Sequence, residues 1–479
     1  MSLLCSIIFS YWERMFYMST VFRPFSDWPI PLKICLSFAA VMVMGSILLA
    51  MPFSQLASSE AVYFDHLFNS VSMVAVTGLF TVPVASTYNL IGQIISLILI
   101  QLGGLGLTTV VSAIILQFGK RVGLKEEVTL QQSLNRNDRT RFRNFILSVV
   151  KYTLVIEAIG AALLLIHFVP LYGWAKGGFT SIFLAISAFN NAGFDNLGTS
   201  SLIEFVDVPV INTVIPLLII LGGIGFSVWF DVSTHFKQLL SARSWTDLKR
   251  TYREFKLHSR LAITWTIWLL LSSFILFLLL EWNNPSSIGP LQWYDKLQAG
   301  FFQSATLRTA GFATVNYTQL HIVTLLVSSV FMFIGGSPGG TAGGAKTTTV
   351  ALVVMLIYSE LKGLANVNYK NRTLKMDIVK RALVIVVMFI ILNIAFVALM
   401  TIFDEHVPLQ YLIFESASAF ATVGLSADLT PTLSRYSQTL LMMAMFIGRI
   451  GPITLFTALG NNRRKRRDIT YATGDILIG

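Results

Sequence analysis

The chain is 479 residues long; 54% of its residues are hydrophobic and only 12% are charged. Ordinary soluble domains carry about 25% charged residues and split into separate cores beyond roughly 250–300 residues. A mean hydropathy of +0.69 excludes a set of soluble domains. The sequence predicts a multi-pass integral membrane protein, because several apolar runs reach the ~20 residues that a bilayer-spanning helix needs. These runs are 32–51, 90–118, 145–169, 210–230, 261–281, 382–403 and 439–459.

The net charge of +11 is concentrated in a few segments, which argues against a nucleic-acid partner and for membrane lipid. Lys and Arg cluster in residues 1–33, 119–146, 237–260, 360–381 and 463–467. Basic loops mark the cytoplasmic side of a membrane protein, so we expect both termini in the cytoplasm. The segments 237–260 and 463–467 are candidates for docking a cytosolic regulator, or they reflect membrane topology alone.

Two short strings recur four times along the chain. The first set comprises Val76-Thr77-Gly78, Asn191-Ala192-Gly193, Thr309-Ala310-Gly311 and Thr422-Val423-Gly424. The second set begins at Gly103, Gly222, Gly335 and Gly448. Signals that return at a fixed period indicate an internally repeated fold. The sequence therefore predicts four units.

Each unit has the same order: an apolar span, a short aromatic segment, a glycine string, a second apolar span and a cytoplasmic end. Two spans return the chain to the same side, so all four units point the same way. The predicted fold is an all-α, channel-like integral membrane protein with four pseudo-fourfold repeats of helix, re-entrant pore helix and helix, eight spanning helices in all. The units are 31–118, 146–236, 261–360 and 382–460, with an interfacial N-terminus 1–30 and a cytoplasmic tail 461–479.

The aromatic segment before each glycine is too short to cross a membrane. A helix between Asp65 and Gly78 covers about 16 Å, half of the hydrocarbon thickness. Non-helical backbone at that depth is tolerated where it lines a wet cavity, and rings of carbonyls replace the hydration shell of potassium. We therefore predict that the twelve residues of the first set of strings form a potassium selectivity filter. Alternatively, the glycines are helix-packing contacts.

The second string of unit three departs from the others. Residues 335–349 hold six glycines and a proline, which disfavour a continuous helix. We expect a polar loop below the filter that acts as a gate, although a kink that merely relaxes packing is the alternative. The predicted gate residues are Gly335, Gly336, Ser337, Pro338, Gly339, Gly340, Gly343, Gly344, Lys346 and Arg449.

Arg449 stands where the other units have Gly104, Gly223 and Gly336. An arginine in an apolar span is costly and faces a cavity or a partner. Below a cation filter it would raise a barrier and could donate hydrogen bonds to carbonyls of loop 335–349. We therefore expect Arg449 to restrain the gate, with a salt bridge between helices as the alternative.

Two further cations are informative. Lys346 lies in a near match to a phosphate-binding loop, but Ala345 replaces the required glycine, so we expect neither ATP hydrolysis nor an organic cofactor in this chain. An ATP-hydrolysing pump subunit is the rival from another class. Arg308 precedes the third filter string, and we expect it to bind terminal carbonyls of the pore helix and to support the filter.

The strings VTGL, NNAGFDN, LRTAGFAT and ATVGLSAD, with IGGSPGGTAGGAKTTT after the third, resemble the superfamily of Trk, Ktr and HKT potassium transporters. The resemblance covers the chain from about residue 30. The start at the first outer helix and the apolar end at residues 475–479 are similar to the Ktr membrane subunits, KtrB.

This resemblance implies a potassium-uptake subunit of the cell membrane, often sodium-activated, that forms a homodimer on a cytosolic ring of nucleotide-binding (ATP/ADP or NAD type) regulators. It places the gate in loop 335–349 and a dimer contact at the tail ending in Gly479, which the sequence alone could equally describe as a frayed end. In this superfamily, glycine at all four filter positions accompanies potassium selectivity, whereas serine at the first accompanies sodium transport. A sodium-translocating or sodium-coupled member of the same fold is the nearest alternative.

Overall fold

The computed structural model describes residues 28–106, 142–241 and 244–459. Most of the predicted N-terminal segment, the end of the first unit, the basic run 463–467 and the tail ending in Gly479 lie outside the described residues. The described chain is mostly helical, with one short β-hairpin of strands β1 (Asn368–Tyr369) and β2 (Arg372–Thr373). An all-α fold is therefore confirmed.

The first two units contain the following elements. Unit one consists of α1 (Ile30–Ala50), α2 (Tyr63–Ala75), the short α3 (Val84–Thr87) and α4 (Leu90–Leu105). Unit two consists of α5 (Phe142–Phe189), α6 (Pro209–Gly223) and α7 (Phe226–Thr234). The long α5 contains Pro170 and is interrupted at Gly173, where φ is +79°, so it comprises an outer helix and a pore helix.

Two short helices lead into the second half of the chain. They are α8 (Phe236–Ser241) and α9 (Trp245–Glu254). Unit three follows with α10 (Leu257–Glu281), α11 (Trp293–Thr306), α12 (Ile322–Phe333) and α13 (Thr347–Leu361). Unit four has α14 (Met376–Phe403), α15 (Leu409–Ala421), α16 (Arg435–Ile450) and α17 (Pro452–Leu459). Single 3₁₀ turns lie at Pro52–Ser54, Ile203–Phe205, Tyr317–Gln319 and Thr430–Thr432.

The inner helices break at the second set of strings in more units than the sequence predicts. We expected a break in unit three alone, but α6 and α7 are bent by 94°, as are α16 and α17. The bends lie at Gly225, with φ +97°, and at Gly451, with φ +89°. A positive φ cannot continue an α-helix, and glycine adopts it without steric cost. The prediction of continuous inner spans 210–230 and 439–459 is therefore wrong.

Apolar helices of membrane-spanning length are present in the described part of the chain. Four are long enough on their own, and the two bent pairs raise the number to six. Side chains such as Leu279 and Ile394 on the outer helices α10 and α14 are 73% and 65% exposed. Exposed apolar faces of this kind are typical of contact with lipid. The predicted eight spans stay a prediction.

The units pack in a closed cycle. The inner helix of each unit contacts the pore helix of the next: α4 packs on α5, α6 on α11, and α12 on α15. The cycle closes because α16 of unit four packs on α2 of unit one. Large pore-helix side chains such as Phe68, Phe302 and Phe414 are fully buried in the core. This packing places the C-terminal ends of the four pore helices around one centre.

Candidate functional site

The four predicted filter strings have the same backbone conformation. Each begins with a non-glycine residue in the left-handed region: φ is +56° at Val76, +59° at Asn191, +67° at Thr309 and +52° at Thr422. Each ends with a glycine of positive φ, which is +104° at Gly78, +72° at Gly193, +79° at Gly311 and +92° at Gly424. Left-handed residues cost energy unless the surroundings hold them, and they concentrate at functional sites.

The strings form a closed ring. A Cβ built on Gly78 would lie 2.7 Å from the carbonyl oxygen of Ala192, and one on Gly193 would lie 2.6 Å from that of Ala310. The order continues in units three and four. A Cβ on Gly311 would lie 2.8 Å from the carbonyl oxygen of Val423, and one on Gly424 would collide with that of Thr77. Any side chain at these glycines would therefore enter the space that the four carbonyls share.

The pore helices hold the strings through hydrogen bonds. The amide of Thr77 donates to the carbonyl of Ser72 at 2.9 Å, and that of Val423 donates to Ser418 at 2.8 Å. The hydroxyls of the same two serines accept from the next amides, those of Gly78 at 3.1 Å and Gly424 at 3.0 Å. The backbone donors of these strings are thus engaged on the pore-helix side.

The oxygen atoms of the ring are left without protein donors. No described residue donates a hydrogen bond to the carbonyl oxygens of Thr77, Ala192, Ala310 or Val423. The buried hydroxyls of Thr77, Thr309 and Thr422 also have no partner among the described residues. Buried oxygens without a donor are costly. Carbonyl oxygens that converge without a protein donor are the chemistry that replaces the hydration shell of a monovalent cation.

A loop over residues 334–346 lies beside this ring, between α12 and α13. It is shorter than the predicted range 335–349, because helix α13 begins at Thr347. The amide of Ser337 donates to the carbonyl of Gly223 at 2.8 Å, and the amide of Phe226 donates to the carbonyl of Gly339 at 2.9 Å. The loop is therefore bound to the broken inner helix of unit two.

Three glycines of the loop pack against units three and four near the ring. A Cβ on Gly344, where φ is +65°, would lie 3.0 Å from the carbonyl oxygen of Ala421. A Cβ on Gly343 would collide with the hydroxyl of Thr422, and one on Gly335 would lie 3.3 Å from the methyl group of Thr309. The loop thus contacts the strings of units three and four directly.

The predicted gate residue Arg449 connects three units. Its guanidinium donates to the loop carbonyl of Thr341 and, on the other side, to the carbonyls of Gly103 and Gly104 at the end of α4, the last at 3.2 Å. No carboxylate among the described residues pairs with it. Lys346 instead donates to the carbonyl of Ala342 within the loop at 2.6 Å. Both cations are bound by backbone carbonyls.

Arg308 does not have the contacts that the sequence predicts. Its guanidinium donates to the hydroxyl of Thr347 at 3.4 Å rather than to terminal carbonyls of the pore helix, and its Nε has no partner among the described residues. The Thr347 hydroxyl in turn donates to the carbonyl of Gly335 at 2.7 Å. The side chain thus reaches the first residue of α13, at the end of the loop. Arg308 therefore connects the third string to the loop.

Sequence reasoning missed two sets of supporting side chains. Thr341 contacts Asn191 Oδ1 at 2.9 Å through its hydroxyl, which joins the loop to the second string. Behind that string, the amide of Asn190 donates to Gln101 at 2.7 Å and to the buried Glu157 at 3.0 Å. The first contact lies inside the predicted loop, but no spacing in the sequence indicates the second, which joins residues from units one and two.

A helical protein with apolar helices of membrane-spanning length, in which four helices end at a ring of carbonyls, is the class that this fold and site define. Comparison with known proteins identifies the family. The TrkH family, described as "Cation transport protein", matches residues 31–462. The chain belongs to this family of cation transporters.

Several relatives match over nearly the full length. The chain is 34% identical to Ktr system potassium uptake protein B of Bacillus subtilis, and the match covers 94% of this chain and 96% of that protein. It is also 34% identical to potassium/sodium uptake protein NtpJ of Enterococcus hirae, over 93% of this chain and 96% of that one. The structure of the potassium transporter TrkH from Vibrio parahaemolyticus superposes with a TM-score of 0.68 at 18% identity, covering 93% of this chain and 86% of that one, which supports the same fold.

Proposed function

We propose that this chain takes up potassium across the cell membrane through the ring of four strings, by passive flow down the electrochemical gradient. The observation that carries this proposal is the closed cycle in which each glycine faces the carbonyl of the next unit. Four carbonyls at the places that side chains would otherwise fill can replace the hydration shell of a cation. The proposed architecture is four parallel units with eight crossings, both termini being cytoplasmic.

The identity of the ion is supported by the relatives. Two proteins with 34% and 35% identity, from Bacillus subtilis and Vibrio alginolyticus, are named for potassium uptake. The ring contains glycine at all four positions, 78, 193, 311 and 424, and no carboxylate lies within its strings. Potassium is here the transported substrate, and sodium is proposed as an activator.

The loop 334–346 is proposed as the gate and Arg449 as the residue that holds it closed. The support is the set of hydrogen bonds from one guanidinium to the loop and to α4. A charge-assisted hydrogen bond is stronger than a neutral one, and it is lost when its donor and acceptor move apart. Moving the loop therefore requires Arg449 to release Thr341.

A homodimer and a cytosolic nucleotide-binding ring complete the proposal. The relatives named as members of a Ktr system support a partner for this chain. The basic α9 (Trp245–Glu254), with a buried Thr251 and otherwise largely exposed side chains, is the described part of the proposed regulator-docking segment 237–260. Gly479 is the proposed dimer contact in the tail.

Sodium transport is the second candidate function. The observation that favours it is the relative from Enterococcus hirae, which is named for both potassium and sodium uptake and covers the same length of chain. A ring of carbonyls separates the two ions by how well it replaces their hydration shells, and this balance depends on small differences in geometry.

The test is ion uptake by proteoliposomes that contain the purified full-length chain and no ATP. We expect potassium influx down its gradient, and an excess of sodium should compete weakly. Equal influx of the two ions would favour the second candidate. Influx that requires ATP would contradict both and favour the pump.

A further inference from the structure

A basic cavity lies where α9, the start of α10 and the tip of the β1–β2 hairpin meet. Its volume is about 520 Å³, which falls within the range of ligand-binding sites. The residues that line it are Lys249, Tyr252, Arg253, Arg260, Lys370 and Asn371. Four of the six are cations and none is acidic. The cavity is remote in sequence from the ring and the loop, and the proposed ion pathway does not use it. Its α9 wall belongs to the segment 237–260 that is proposed for regulator docking.

The positive charges of this cavity are not neutralised by negative charges of the described protein. None of its four cations forms an ion pair with a described carboxylate. The Nε atom of Arg260 is buried and has no hydrogen-bond partner among the described residues. Like charges that share a small cavity repel each other, and a buried donor without an acceptor is costly. An anion in the cavity would relieve the repulsion between these four charges.

The walls of the cavity are fixed by hydrogen bonds. The hydroxyl of Tyr252 donates to the carbonyl of Arg260 at 2.9 Å and accepts from Lys370 Nζ at 3.1 Å. The same Nζ lies 4.6 Å from the centre of the Tyr252 ring. Lys370 and Asn371 have φ values of +46° and +63°, as the two central residues of a type I′ hairpin turn require. The hairpin tip is therefore held against α9 and α10 without a ligand.

We propose that this cavity is a binding site for a phosphate-bearing anion. The guanidinium groups of Arg253 and Arg260 can each bind two phosphate oxygens, and the ammonium groups of Lys249 and Lys370 add positive charge around them. Such an anion is available from two sources: the headgroup of an anionic phospholipid in the cytoplasmic leaflet, or a soluble phosphate compound. Basic pockets at the cytoplasmic ends of membrane helices suit headgroups in particular.

An anion bound at this site would join two elements that are distant in sequence. One wall belongs to the base of the outer helix α10, and the other to the hairpin that leads from α13 to α14. Because α13 directly follows the loop 334–346, a bound anion would connect the cytoplasmic end of that helix to α10.

The test uses the full-length chain in phosphatidylcholine nanodiscs, with and without cardiolipin, as wild type and as the double variant Lys249→Gln/Arg253→Gln. Both substituted side chains are exposed, so the fold should be retained. The matched control is Lys362→Gln/Lys375→Gln, which removes the same charge from exposed positions outside the cavity. Retained cardiolipin is measured by native mass spectrometry, and inorganic pyrophosphate binding is measured by calorimetry in discs without cardiolipin.

We expect the cavity variant to bind about tenfold more weakly than wild type and control in at least one arm, because it loses charge-assisted bonds. A loss of cardiolipin identifies the lipid headgroup as the source, and a loss of pyrophosphate binding identifies a soluble compound. Equal binding by the cavity variant and the control in both arms would overturn the proposal. The positive charge would then reflect topology or protein docking. Since the readout is binding, it is independent of which ion the chain transports.

Discussion

The ring of strings and the loop beside it are both non-helical backbone, yet they are built differently. The ring repeats one backbone conformation four times, and each copy is held by its own pore helix. The loop 334–346 occurs once and is held by contacts from other units, among them Gly223 of unit two and Arg449 of unit four. A structure that is repeated and locally supported suits a fixed selectivity site. A structure that depends on a few distant contacts suits a part that moves.

The largest expected effect comes from adding a side chain to the ring. In Gly424→Ser the new Cβ would collide with the carbonyl oxygen of Thr77, at a φ of +92° that a serine adopts only with strain. Strain of this kind costs about 1–3 kcal/mol, so we expect potassium uptake or its preference over sodium to fall by about tenfold or more. Gly198→Ser is the control, because nothing lies within 4 Å of its Cβ position. Unchanged uptake and preference in Gly424→Ser would contradict the ring as the selectivity site.

The next effect comes from the contact that joins the loop to its neighbours. Arg449→Gln removes the charge-assisted bonds to Thr341 and to α4. Such bonds contribute about 1.5–3 kcal/mol each, so we expect potassium flux to rise by about tenfold. Arg449→Lys keeps the charge but loses the forked geometry, and it should give an intermediate flux. A flux in Arg449→Gln that equals the wild-type value would show that this side chain does not restrain the loop.

A smaller effect is expected at Thr341. Its hydroxyl contacts Asn191 Oδ1 at 2.9 Å, and Thr341→Val removes this contact while keeping the carbonyl that binds Arg449. The loss of about 1 kcal/mol should raise potassium flux by roughly two- to fivefold. Thr349→Val, at the start of α13, is the matched control. Ion preference should not change in either variant, and a change in Thr341→Val would mean that the loop and the ring are not separable.

The breaks in the inner helices show what sequence reasoning could and could not predict. The half-length pore helices and the four glycine strings follow from spacing, because a segment of 13 residues cannot cross a bilayer. The bends at Gly225 and Gly451 were not predicted, because short apolar segments flank both glycines and resemble an uninterrupted span. In units two and four the second string also ends the first part of the inner helix. What distinguishes unit three is therefore the length of its loop.

Contacts between units were harder to predict than features within them. The position of Arg449 in an apolar span indicated that it needed a partner, although its contacts with α4 depend on how unit four closes on unit one. The predicted partner of Arg308 was wrong for the same reason, since Thr347 reaches the Arg308 side chain only after the chain has turned back. The spacing of residues in the sequence indicates periodicity within a segment. It gives no information on the distance between two segments in space.

The smallest effect is expected at an ion pair between units one and four. Asp65 at the start of α2 pairs with Arg435 of α16 at 2.5 Å, which joins units one and four. The side chain of Arg435 is 52% exposed, so solvent screens the pair and its contribution is about 0.2–1 kcal/mol. Asp65→Asn should lower the melting temperature slightly at low salt and not in concentrated salt. An equal loss at both salt concentrations would show that the carboxylate acts through packing or hydrogen bonds instead.

The most direct test of the central claim is to locate the ion. Crystals of the wild-type chain soaked in a thallium or rubidium salt should give an anomalous difference peak between the carbonyl oxygens of Thr77, Ala192, Ala310 and Val423. The same soak of Gly424→Ser should give a weak peak or none at this position. An ordered ion bound elsewhere in the wild-type protein, with no peak between these four carbonyls, would contradict the account.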